Sequence, residues 1–203
     1  RAGADRYLLR FETSDPALYR KIHPSLGGRV SDRMAMLRRM RAMGYEIGSG
    51  VMVGIPGQTW DILAGDVLAF GELDLDMIGV GPFIPHPATP LGRADVRRAA
   101  PDQQAPNDER TTLKMVALAR LACPLANIPS TTALATINKA SGRELGLMRG
   151  ANVVMPNLTP VKYRAMYEIY PAKACIYETA EQCSGCLRGP IASIGRRVGK
   201  ARG

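Results

Sequence analysis

The sequence predicts an α/β protein with about five parallel strands alternating with helices, arranged as part of a (β/α) barrel. Three observations lead there. Short apolar runs alternate with amphipathic helical stretches along the chain, which is the pattern of repeated βα units. The runs are almost continuously apolar, as strands covered by helices on a parallel sheet must be. Polar or reactive residues fall at the C-terminal end of nearly every run, and in a barrel those ends ring one mouth. The first two observations also fit an open doubly wound sheet, and the third favours the barrel.

The strand runs are Arg6 to Glu12, Glu46 to Gly54, Asp76 to Phe83, Asn127 to Leu134 and Asn152 to Asn157. Their polar ends are Arg10 and Glu12, Gly54 to Gln58, Pro82 to His86, Thr131 and Thr132, and Asn157 and Thr159. Asp15 and Pro16 form an N-cap and first-turn pair that opens a helix through Ile22. Met34, Leu37, Met40 and Met43 repeat on one face of the next helix. Thr59 can cap a helix through Phe70, Leu113 to Leu121 is amphipathic, and Ser141 with Glu144 matches a capping box. The stretch from Arg93 to Asp108 carries Pro101 and Pro106 and is expected to be a surface loop insertion.

The 203 residues, 46% of them hydrophobic, suffice for one core. They fall short of the roughly 250 residues of a complete barrel. The chain opens with Arg1, and Leu8, Leu9 and Phe11 already form a strand-like run, so a longer parent chain is expected. Residues 1–160 are expected to form the barrel portion, and residues 161–203 a C-terminal helix, a cysteine cluster and a basic tail. No apolar run approaches the roughly 20 residues of a membrane span, so no membrane partner is expected. The formal charge of +9 is partly concentrated from Arg188 onward, where no acid occurs. No aromatic residues are interleaved there for base stacking, so the tail is read as solvated and nucleic acid is not expected as a partner. Three of the four cysteines, Cys175, Cys183 and Cys186, have the spacing C-x7-C-x2-C. Such a cluster points to a metal or redox centre in a reducing compartment, the cytoplasm, and both an iron–sulfur cluster and a half zinc knuckle fit it. Cys123 is read as a buried small apolar residue.

Glycine crowds the second run, Gly48-Ser49-Gly50-Val51-Met52-Val53-Gly54-Ile55-Pro56-Gly57-Gln58-Thr59, where backbone can pass close to a ligand. No Gly-Lys-Ser/Thr follows, so this is not a phosphate loop. This segment, together with Asp76 to Pro87, Lys114 to Leu118, Asn127 to Ala133 and Gly150 to Asn157, resembles the radical S-adenosylmethionine (SAM) [FeFe]-hydrogenase maturases of the HydE family. The likeness is collinear from about Arg6 to Gly195. Biotin synthase and methylornithine synthase share the framework, but Gly81 to Pro87 and Asn127 to Ala133 look like HydE.

The resemblance implies the C-terminal half of a radical SAM TIM-type barrel. It assigns Glu12, Arg33 and Met77 to SAM, and Arg10, Thr131, Thr132 and Tyr170 to a substrate carrying a carboxylate. A carboxylate can face the ammonium and sulfonium of SAM, and an arginine fork can hold a carboxylate. Without the family, Arg33 would be a solvated helix residue and Met77 ordinary core. The family usually has His where this chain has Phe11, so a polar role for that position is in doubt here. The resemblance also implies an auxiliary iron–sulfur cluster on Cys175, Cys183 and Cys186. The C-x3-C-x2-C ligands of the [4Fe–4S] radical SAM cluster do not occur in these residues, so this chain alone is expected to be inactive. The implied substrate is a small molecule, either a cysteine-derived iron carbonyl–cyanide species or an amino acid, and the implied partners are other hydrogenase maturases. A related amino-acid-modifying radical SAM enzyme and a non-catalytic remnant are the alternatives.

Overall fold

The computed structural model describes residues 3–25, 27–93, 98–164, 166, 169, 171–172 and 177–200. Tyr170 and Cys175, both expected at sites, lie outside the described residues.

Strands β1 (Arg6–Leu8), β2 (Glu46–Val53) and β3 (Met77–Pro82) form a parallel sheet in the order β1-β2-β3. The sheet then continues as isolated parallel bridges, Met77 and Val80 to Asn127 and Ser130, and Pro129 to Val153. Five runs therefore lie side by side in sequence order, as expected of short right-handed crossovers. The last two are shorter than the sequence suggested, for local reasons. Pro129 has no N–H to donate. Thr131 leaves the strand to cap a helix, and the Asn152 side chain, not a backbone carbonyl, accepts from the Ile128 N–H at 2.8 Å. The expected strand through Leu134 is thus corrected: helix α5 (Thr132–Ile137) begins there and buries Leu134.

The remaining helices are α1 (Pro16–Ile22), α2 (Arg33–Ala42), α3 (Trp60–Glu72), α4 (Glu109–Ala122), α6 (Gly142–Met148), α7 (Val161–Arg164) and α8 (Ala180–Ser193). Asp15, Asp32, Thr59 and Asp108 cap α1 to α4 by accepting a backbone N–H in the first turn. The expected capping box at Ser141 does not form. Asn138 takes the Ser141 N–H on its side-chain oxygen and donates its amide to the Ser141 hydroxyl, which leaves Ser141 making no cap bond. A box does form at Thr179 and Gln182, at the start of α8.

Phe11, Ile47, Val51, Val53, Ile78, Val80 and Ile128 turn one face of the sheet toward Leu37 of α2, Leu63 and Phe70 of α3, and Met115 and Val116 of α4. This is the main core, and Phe11, far from any polar role, packs against Phe70 with ring centroids 6.1 Å apart. The stretch expected as a loop insertion is anchored in its second half. Gln104 accepts from the Gly57 N–H at 2.9 Å and donates to the Ile55 and Gln58 carbonyls, and Asn107 donates to the Phe83 carbonyl at 2.7 Å. No helix among the described residues is long and apolar enough to cross a membrane.

Candidate functional site

Opposite the core, the sheet carries little side chain. In the paired register Gly48 faces Met77, Gly50 faces Gly79 and Met52 faces Gly81, and Leu8 adjoins Gly48. A methyl group on Gly50 would strike the Gly79 carbonyl, and one on Gly48 would come within 2.6 Å of Leu8 Cδ1. On Gly79 it would lie 3.0 Å from Arg10 Nη1, and on Gly81 3.2 Å from Thr131 Oγ1. The glycines are what let the Arg10 guanidinium and the Thr131 hydroxyl lie down against the strands.

Arg10 donates to Glu12 through Nε at 2.9 Å and Nη2 at 3.0 Å, a fork with two parallel bonds, and Nη2 also donates to the Val51 carbonyl at 2.7 Å. The pair is partly buried, with 29% and 19% of the side chains exposed, so it is less screened by solvent than a surface pair and still reachable by a ligand. Arg33, the first residue of α2, donates to the Arg10 carbonyl at 2.5 Å. Three of the expected site residues therefore form one connected cluster at the exit of β1.

That cluster depends on an irregularity in β1. The ladder pairs Leu8 with Gly48, yet the next bridge pairs Glu12 with Val51, so the register slips by one residue. The Ser49 hydroxyl occupies the gap, donating to the Leu9 carbonyl at 2.9 Å and accepting from the Phe11 N–H at 3.2 Å. Glu12 itself takes a left-handed φ of 65°, uncommon for a residue with a side chain. Such slips re-aim side chains beside functional sites.

The other expected residues are placed differently. Thr131 is buried, and its hydroxyl accepts from the Leu134 N–H at 3.3 Å as the cap of α5. The Thr132 carbonyl accepts from the Thr136 hydroxyl at 2.8 Å. Met77 shares the open face but lies at the start of β3, where it lines a recess of about 250 Å³ with Tyr7, Leu8, Gly48 and Asn127. Cys183 and Cys186 stand one turn apart on α8, where two thiols can reach one centre. Cys183 is buried and its sulfur accepts from the Asn157 N–H at 3.3 Å, while Cys186 is exposed. Among the described residues no three His, Cys, Asp or Glu side chains gather as a metal site. Burial pushes the Cys123 thiol up, in keeping with its place in the core.

Asp66, which sequence reasoning passed over, and Gln58, read there only as part of the polar end of the second run, hold the mouth together. The buried Asp66 carboxylate, on α3, accepts from the Ser14 N–H at 2.5 Å, the Ser14 hydroxyl at 2.7 Å, the Thr13 hydroxyl at 3.4 Å and the Gln58 amide at 3.1 Å. Gln58 in turn accepts from the Gly54 N–H at 2.7 Å and the Ile55 N–H at 3.1 Å. Burial pushes the Asp66 carboxyl up to about 6, against the pull of its donors. The available signal was an acid inside the apolar stripe Leu63, Asp66, Ala69, Phe70. Beside this network a cleft of about 410 Å³ is lined by Thr13, Ser14, Tyr19, Ser31, Arg33 and Arg38.

No protein-family model matches the sequence. Over 199 residues, 98% of its length, the chain is 47% identical to the [FeFe] hydrogenase maturase subunit HydE of Thermotoga maritima. It spans about half of that relative, 53% of its length. Among solved structures it is similar to HydG, a maturase of the [FeFe]-hydrogenase, with a TM-score of 0.63 and 18% identity, over 93% of this chain and 40% of that one. The second likeness is one of fold, a parallel sheet with alternating helices.

Proposed function

We propose that this chain is the portion of a HydE-like radical SAM maturase that forms the later part of the barrel, where it supplies walls of the SAM and substrate cavity during assembly of the [FeFe]-hydrogenase di-iron site. The carrying observation is the Arg10–Glu12 fork lying open above the glycines of β2 and β3, in a chain 47% identical to HydE over nearly its whole length. The donor set fits an amino-acid-like ligand: a carboxylate to face the ammonium and sulfonium of SAM, and guanidinium groups to face a carboxylate. When bound, SAM and its reducing [4Fe–4S] cluster would supply a 5′-deoxyadenosyl radical, and the C-x3-C-x2-C ligands of that cluster are not among these residues. In this proposal Glu12 and Arg33 orient SAM, with Met77 deeper on the same face. Arg10, Thr131, Thr132 and Tyr170 hold a small substrate, either a cysteine-derived iron species or an amino acid. A cytoplasmic location and other maturases as partners follow from the same reading.

The experiment uses the chain rejoined to the N-terminal half of a HydE. Glu12→Ala is expected to weaken SAM binding by about 1.5–3 kcal/mol, the worth of a charge-assisted bond, against about 1 kcal/mol or less for Thr132→Ala. Calorimetric titration of both variants checks this, and equal losses would remove the division of roles.

Cys175, Cys183 and Cys186 are proposed as ligands of an auxiliary iron–sulfur cluster. The turn-to-turn placement of Cys183 and Cys186 supports two of the three. Anaerobic reconstitution with iron and sulfide should give a visible charge-transfer absorption that a Cys183→Ser, Cys186→Ser double variant lacks. Tight zinc in place of iron would favour a half zinc knuckle.

A further inference from the structure

The Arg10–Glu12 fork forms where the backbone leaves β1 along an unusual path, and the question is what holds that path. Glu12 has a left-handed φ of 65°, and Thr13 bends back so that its N–H meets the Phe11 carbonyl at 2.8 Å. Glu12 itself is tied to β2, its N–H donating to the Gly50 carbonyl at 3.0 Å and its carbonyl accepting from the Met52 N–H at 3.2 Å, and the Thr13 bend lies beyond those bonds. The next residue, Ser14, gives both its N–H and its hydroxyl to one oxygen of Asp66, at 2.5 and 2.7 Å, and Thr13 adds its hydroxyl. The second Asp66 oxygen takes the Gln58 amide, and Gln58 holds the turn that leaves β2 at Gly54 and Ile55. One fully buried carboxylate on α3 therefore ties down the exits of two neighbouring strands.

We infer that Asp66 is a positioning residue which, through Ser14 and Thr13, fixes the backbone at Glu12 and so sets the forked geometry of the Arg10–Glu12 pair. The donors decide which substitutions inform. Every bond to Asp66 is donated to it, and the Gln58 amide cannot turn round because its oxygen already holds two backbone N–H groups. An asparagine of the same shape must therefore set its own NH2 group against a donor at one end or the other. Ser14 then loses its hold or Gln58 does. Ser14→Ala removes a single bond and leaves the carboxylate in place.

This inference rests on the reading of Arg10 and Glu12 as a ligand site only for its significance, and its test needs no ligand. In the full 203-residue chain at pH 7.5, the Arg10 Nε–H, bonded to Glu12 at 2.9 Å, should exchange slowly with water and be visible by 1H–15N NMR, its resonance assigned with Arg10→Lys. Asp66→Asn is expected to speed that exchange at least tenfold, and Ser14→Ala by a smaller factor, while circular dichroism shows the helices intact. Unchanged exchange in Asp66→Asn, with only a lowered melting temperature, would make Asp66 a structural residue and overturn the inference. Should Asp66→Asn fail to fold, Ser14→Ala decides alone, since unchanged exchange there is equally fatal. Failure of the rejoined protein to bind SAM would sink the ligand reading and leave this result standing.

Discussion

The sheet at β1, β2 and β3 and the segment after it are held together by different means. In the first region the ladders, unbroken between β2 and β3 and interrupted once between β1 and β2, are reinforced by buried side chains that reach between strands: Ser49 within the β1–β2 gap, and Asp66 with Gln58 at the strand exits. Beyond β3 the pairing thins to single bridges, and long side chains stand in for the ladder. Arg120 gathers the Gly150, Pro124 and Ala126 carbonyls and the Asn152 side chain, and Asn152 holds the Ile128 N–H. The last helix, α8, is attached more lightly, by Cys183, Leu187 and Ile191 and by the Arg196 bond to the Ala151 carbonyl at 3.0 Å. The difference separates the two candidate sites. The charged fork sits on the more heavily cross-linked part of the chain, as precise placement requires, and the cysteine pair sits on an element with fewer anchors.

The largest expected effect breaks the constrained region. Phe70 is fully buried against Phe11 and the strands, so Phe70→Ala should cost about 3–5 kcal/mol and unfold the sheet as a unit. Leu187→Ala on α8 should cost about 2 kcal/mol, the low end for a buried leucine. Urea melts followed by circular dichroism compare the two. Equal losses in one cooperative transition would show that α8 is as integral as α3.

A second test concerns the charge buried in the constrained region. The Asp66 carboxyl is raised to about 6 by burial, above its unfolded value near 4. A raised acid favours the folded state fully only below the unfolded value, and that contribution is lost as pH climbs through the folded one. Stability should therefore fall between about pH 4 and 7 by up to about 3 kcal/mol relative to the trend in Asp66→Asn. His23, whose pKa burial lowers, gives a slope of opposite sign that is common to both proteins and cancels in the difference. Parallel curves for the two proteins would mean that Asp66 stays ionised at little cost, its four donors replacing water.

How much of this was legible beforehand follows the range of the interactions. Caps at Asp15 and Thr59 are local, and their signatures over three residues were sufficient. Arg10 and Glu12 were legible as polar residues at the end of the first run, but the fork between them leans on the Val51 carbonyl and on Ser49, about forty positions away. The strand order followed from the crossovers. Ser49 bonded across 40 positions and Asp66 across 52 left only faint marks: a serine among glycines, and an acid in an apolar stripe. Thr131 misled because β-branched residues suit strands, while its hydroxyl next to a helix-forming Ala-Leu-Ala run also suits a cap, and the cap won.

The smallest effect sharpens the contrast most. Thr179 and Gln182 form a reciprocal box at the start of α8, the Thr179 hydroxyl accepting from the Gln182 N–H at 3.2 Å and the Gln182 side chain accepting from the Thr179 N–H at 2.8 Å. Thr179→Ala removes one of these bonds and exposes no core, so about 1 kcal/mol of helix stability is at stake. If α8 opens as its own unit, that loss should speed amide exchange about fivefold across residues 180–193 and leave β2 and α3 unchanged. Were α8 part of the global cooperative unit, exchange would instead rise by the same factor in β2, because every opening would pass through the same unfolded state. Hydrogen exchange followed by mass spectrometry separates these outcomes. A local response would place the cysteine pair on an element that can detach from the sheet while the Arg10–Glu12 fork stays formed.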